Sequence, residues 1–107
     1  MPTHRPRPPH PGDLIRTIRL LVGQDKVTYT AHAAEERMQE RGIGVDDVLE
    51  VLGRGDILGD IVPGTKPGEW KCLVVAPLEW TPREAGVATV VVRKDRLIII
   101  TVEWMDP

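Results

Sequence analysis

The chain has 107 residues, 41% hydrophobic and 28% charged, with a formal net charge of −2; this is the composition of one small soluble domain and leaves no length for a second. The single cysteine, Cys72, excludes a disulfide framework and any cysteine-rich zinc site, and fits a reducing, cytoplasmic setting. No apolar run approaches the ~20 residues of a membrane-spanning helix, and the opening MPTHRPRPPHPG has no apolar segment of the secretory kind, so no membrane partner is expected.

Residues 1–12 read as a disordered proline-rich arm and residues 13–107 as a single domain. Asp13 is placed to cap a helix over DLIRTIRLLVG, in which Leu14, Ile18, Leu21 and Val22 recur at helical spacing and Gly23 supplies the stop. Val27-Thr28-Tyr29 is too short and too β-branched to extend it. Thr30 can cap a second helix, AHAAEERMQER, with Ala31, Ala34 and Met38 as its apolar stripe and Gly42 as its end. A third helix starts at Asp46 or Asp47, faces Val48, Leu49 and Leu52 inward, and ends at Gly53 or Gly55.

From residue 56 the pattern turns extended: DILGDIV, a Pro-Gly turn in PGTKPGE, then WKCLVVAPL. After the connection EWTPREAG come two β-branched strands joined by a tight turn at Lys94-Asp95. The aromatic residues are Trp70, Trp80, Trp104 and Tyr29, so Val, Ile and Leu carry the core. The expected class is α+β, with two to three N-terminal helices packed on a curved, mainly antiparallel sheet of about four strands.

Charge is unevenly spread. Residues 1–26 carry five Lys/Arg against two acids, residues 27–60 three against eight, and residues 61–107 six against six. An acidic middle is the opposite of the basic patch that a constitutive nucleic-acid binder presents, and no DNA specificity is expected.

The chain has no glycine-rich phosphate loop, no HExxH, no CxxC and no nucleophile elbow. His4, His10 and His32 have no carboxylate or cysteine at ligand spacing, so neither a metal nor a cofactor is expected. The segment THAAEERMQERGI stands out because it places His32, Arg37 and Arg41 on one short helix. Arg37 and Arg41 share a face. His32 lies about 140° round an α-helix from Arg37, so the three meet only if something else brings them together. In a functional reading His32 carries a proton while the guanidinium groups hold a phosphate, as metal-independent RNA cleavage requires. In the bland reading His32 pairs with Glu36, and the arginines pair with Glu40 or with acids of the third helix, each pair contributing ~0.3–0.5 kcal/mol on a solvated surface.

Trp104 with Glu103 has two readings as well, an indole set against a base with a carboxylate for acid/base work, or a ring closing the core under the first helix. Tyr29 either lines the His32 cleft or packs at the helix–sheet junction. Arg83, in a loop, and Lys71, on the sheet, are further basic candidates. Cys72 reads as a small buried hydrophobe.

His32-Ala33, Arg37-Met38, Arg41-Gly42-Ile43 and Val51-Leu52-Gly53, together with the ending VATVVVRKDRLIIITVEWMDP, resemble an uncharacterised family of small bacterial and phage proteins associated with RelE-like and MqsR-like toxins. The resemblance covers residues 13–107. It implies helices on a curved antiparallel sheet and a toxin-like, metal-independent endoribonuclease of a toxin-antitoxin type system, with RNA and a cognate antitoxin-like protein as partners. On that expectation His32, Arg37 and Arg41 are the catalytic candidates and Tyr29, Lys71, Arg83 and Glu103 the substrate-binding ones. The chain departs from such toxins in being acidic, with only Lys71, Arg83, Arg93, Lys94 and Arg96 as basic side chains around the sheet. The alternative is a non-catalytic interaction module that docks an acidic helical face, residues 35–50, on a basic partner.

Overall fold

The computed structural model describes residues 7–93 and 95–106. Helix α1 (Pro11–Gly23) is followed by a short strand β1 (Val27–Tyr29). The second helix, α2, opens as a π turn (His32–Arg37) and closes as one α turn (Met38–Arg41), and α3 (Val45–Arg54) completes the helical layer. Strands β2 (Asp56–Pro63), β3 (Glu69–Pro77), β4 (Glu84–Val92) and β5 (Arg96–Trp104) follow.

The sheet has five strands in the order β1-β5-β4-β3-β2. The expectation of about four strands fell short because Val27–Tyr29 pairs in parallel with Leu97–Ile99 at the far end of the chain. Three residues carry no alternation of their own, and only this long-range partner makes them a strand. The other pairings are antiparallel, as the hairpin patterns implied. Asp95 N–H closes the β4–β5 turn on the Val92 carbonyl at 2.7 Å, while Lys94 lies outside the described residues.

The helical layer starts earlier than the sequence suggested. His10, rather than Asp13, caps α1, its Nδ1 accepting the Gly12 N–H at 3.0 Å. Pro11 then begins the helix with φ already set and no N–H to orphan. Asp13 instead sits in the first turn and pairs with Arg16. Residues 11 and 12 of the expected arm belong to α1, and residues 1–6 of it lie outside the described residues. Helix α3 begins at Val45, with Asp47 Oδ2 accepting the Gly44 N–H at 2.9 Å, and it buries Val48, Val51 and Leu52, leaving Leu49 half-buried.

All three helices lie on one face of the sheet. Ile18, Leu21, Val48, Val51 and Leu52 meet Val74, Val87, Leu97, Ile99 and Val102, all fully buried. The alternate residues Leu73, Val75, Val90 and Ile98 line the other, half-exposed face. No described helix is long and apolar enough to cross a membrane.

Gly55 marks a close approach between α3 and β3. A Cβ there would stand 2.6 Å from the Val51 carbonyl oxygen and 2.7 Å from that of Val75, and the Gly55 carbonyl accepts from Arg19 of α1 at 2.9 Å. Gly53, two residues back, has open space around it. Gly55→Ala is expected to cost about 1–3 kcal/mol in urea unfolding because backbone on both sides has to shift. Gly53→Ala should gain roughly 0.5–1 kcal/mol by restoring helix propensity. Equal effects would contradict this packing.

Candidate active site

Helix α2 is fastened to β5 at both ends. At its start the Thr30 hydroxyl accepts the Ala33 N–H at 3.1 Å and donates to the Ile100 carbonyl at 3.3 Å. Ile100 is free for this because it is the bulged residue of β5, skipped between Thr101, opposite Ala88, and Ile99, opposite Thr89. At the far end Trp104 Nε1–H donates to the Arg41 carbonyl at 2.8 Å. Gly42 then turns left-handed at φ +67 and Ile43 N–H reaches back to the Met38 carbonyl at 3.0 Å, satisfying the helix end.

Between these fastenings the backbone widens. Met38 N–H donates to the Ala33 carbonyl five residues earlier, the bond that defines a π turn. The buried positions of the helix become Ala33 and Met38, with Ala31 exposed and Ala34 half-buried. The expected stripe of Ala31, Ala34 and Met38 assumed an α-helical period and is corrected in its first member.

The same widening aligns His32 with Arg37. Residues five apart lie about 50° apart round the axis of a π turn, where an α-helix would separate them by about 140°. Arg37 Nε–H donates to His32 Nε2 at 3.2 Å, and His32 Nδ1 meets Glu36 Oε2 at 2.9 Å. These partners fix the tautomer: Nδ1 carries the proton and donates to the carboxylate, while Nε2 offers its lone pair. Arg37 also donates to Glu40 at 2.9 Å, and Glu40 lies 3.7 Å from Arg41. Arg41 thus joins through Glu40 rather than by touching His32, and its buried NH1 makes no hydrogen bond.

The pairs anticipated for an ordinary charged surface, His32–Glu36, Arg37–Glu40 and Arg41–Glu40, are all formed. The first two are solvent-accessible and stabilise the helix only slightly. What the surface reading does not supply is the link between His32 and Arg37. It turns separate pairs into one chain, Glu36–His32–Arg37–Glu40–Arg41, in which an oriented imidazole lies beside a guanidinium. Such a chain can accept a proton at His32 Nε2 and stabilise negative charge developing beside it.

The remaining candidates lie elsewhere. The Tyr29 hydroxyl is buried without a hydrogen-bond partner, and burial, with a smaller contribution from Asp25, raises its pKa. No hydrogen bond joins it to His32. Lys71 and Glu103 are exposed on the sheet face opposite the helices, alternating with the buried Cys72 and Val102. Arg83 lies over the Trp104 ring, 4.1 Å from its centre, and its Nε meets both Asp106 oxygens at 3.1 Å. Trp104 does close the core, but its indole is fastened under α2 and not under the first helix. Trp80, an aromatic residue in a polar connection, attracts no role from the sequence pattern; it packs edge-to-face on Trp104 with ring centres 6.0 Å apart. Among the described residues no group of three His, Cys, Asp or Glu side chains is placed to hold a metal ion.

The molecule is thus a small α+β protein with one helical layer on a mixed sheet and a histidine–arginine chain on a helix fastened to β5, an interior strand between β1 and β4. Residues 29–104 match the family model described as a domain of unknown function, DUF4258, and the chain belongs to that family. No curated protein and no solved structure matches it.

Cys72 is buried in β3, and desolvation pushes its thiol up to about 11 from 9.0. The native thiol should therefore resist alkylation at pH 8 and react only on unfolding. Because the folded value is the raised one, Cys72's contribution is fully present below pH 9 and declines as pH rises toward 11. Cys72→Ala should flatten that part of the stability profile; rapid labelling of folded protein at pH 8 would contradict the assignment.

Proposed function

We propose that this chain is a metal-independent endoribonuclease of the toxin type, acting on RNA at the His32–Arg37 pair. The observation that carries the reading is the imidazole held between Glu36 and Arg37, on an exposed side chain whose Nε2 accepts from Arg37 Nε–H. The resemblance to RelE-like toxins and the α+β class support it, as fold-level analogy does.

In the reaction, Arg37 gives up its bond to His32 Nε2 when the scissile phosphate arrives and turns its N–H groups to the phosphate oxygens. His32 Nε2 takes the ribose 2′-hydroxyl proton, and the 2′-oxygen attacks phosphorus. The P–O5′ bond breaks, leaving a 2′,3′-cyclic phosphate, and the departing 5′-oxygen takes a proton from water. Glu36 stabilises the imidazolium through Nδ1–H, while Arg37, with Arg41 behind it, stabilises the phosphorane charge. Glu40 limits the substrate side of this arrangement because it already occupies part of both guanidinium groups.

The test is cleavage of a single-stranded RNA by purified protein in EDTA. Wild type should yield cyclic-phosphate ends, His32→Ala should lower the rate by about 10²–10⁴-fold, and Glu36→Gln should lower it less. A folded His32→Ala protein that cleaves at the wild-type rate, or a wild type inert on RNA, would overturn the proposal.

A further inference from the structure

A large aromatic residue that stays exposed while being held rigid is an uncommon surface feature. Trp80 is 61% exposed, yet its orientation is fixed at two edges. Its Nε1–H donates to Asp47 Oδ1 at 2.8 Å, and its ring stands edge-to-face on Trp104 at an interplanar angle of 80°. Fixing a ring in this way removes most of the ordering cost that a ligand stacking on it would otherwise meet.

The charge around the ring selects the ligand. Asp47 sits at the indole N–H, the neighbouring Glu79 takes its backbone N–H to Glu50 at 2.9 Å, and Arg54 bridges Glu50 and Glu79 at 2.9 and 3.2 Å. Three carboxylates thus lie in this group with one guanidinium, which pairs with two of them. An aromatic face is itself negative, so ring and carboxylates both favour a cation and both repel a phosphate backbone. The adjacent ring carries the same arrangement already filled: Arg83 lies 4.1 Å above Trp104 with Asp106 on its Nε.

We propose that the Trp80 face, with Asp47 and Glu79 beside it, is a docking site for an arginine side chain of a basic partner protein. The occupant is an arginine-rich segment, because a guanidinium stacks on the indole and still reaches a carboxylate with its N–H fork. Glu79, with its side chain 79% exposed, is open to such a partner. This site shares no residue with the His32–Arg37 pair, and binding at it does not depend on nuclease activity.

A hexa-arginine peptide titrated into isotope-labelled protein, beside a hexa-citrulline peptide of the same shape without charge, tests the site. The Trp80 Nε1–H resonance should shift saturably with the arginine peptide and not with citrulline. Trp80→Ala should weaken binding about fivefold and Trp80→Tyr much less, since tyrosine keeps an aromatic face. If Trp80→Ala does not fold, the Tyr variant and Asp47→Asn provide the comparison, with Asp47→Asn weakening binding. Unchanged affinity in folded Trp80→Ala or in Asp47→Asn, no binding by wild type, shifts confined to other residues, or a Trp80 response to single-stranded RNA in place of the peptide would each overturn the proposal.

Discussion

Helix α2 is held to one strand by two hydrogen-bonded fastenings, Thr30 to the bulged Ile100 and Trp104 to the Arg41 carbonyl. The fastenings on β5 are four residues apart, a span of about 13 Å in a strand. The eleven residue steps from Thr30 to Arg41 would extend about 16 Å as a regular α-helix. The π turn at His32–Arg37 lies between the two fastenings, and Ala33 and Met38 are buried. The family match from 29 to 104 begins one residue before the first fastening and ends on the second, so it contains the whole arrangement.

The chemistry of the helix follows from that fit. With a regular α-helical period Arg37 would point away from His32, and the surface would hold only separate ion pairs of little energetic weight. With the wider turn the guanidinium donates to Nε2, Glu36 takes Nδ1–H, and the ring has one tautomer and one orientation. Backbone irregularity of this kind is common where side chains have work to do. Here it converts local charge pairing into a chain with a direction, from the Glu36 carboxylate through the imidazole to Arg37 and Arg41.

Much of this was legible in the sequence, and the failures have physical causes. Thr30 and Gly42 bracket α2 as cap and stop, and the hairpin strands are written in β-branched alternation. His32 and the two arginines stand out because they crowd one short helix. The π turn is invisible because it lies between fastenings on β5 whose partners are 70 and 63 positions apart in the chain. β1 is hidden for the same reason: Val27–Tyr29 becomes a strand only beside Leu97–Ile99. The cap of α1 was misplaced because histidine is an unusual capping residue and Asp13 a common one. Trp80 carried one readable signal, an aromatic ring in a polar connection, but its fixation by Asp47 and Trp104 is purely tertiary.

The most direct measurement of the account is the protonation pattern of the His32 ring, read from two-bond proton–nitrogen correlation at neutral pH with His4 and His10 assigned apart. The fastened π turn requires Nδ1 protonated toward Glu36 and Nε2 unprotonated toward Arg37, and Arg37→Ala should loosen that preference. A ring with the proton on Nε2, or one averaging freely between tautomers in the wild type, would contradict the alignment on which the proposed site rests.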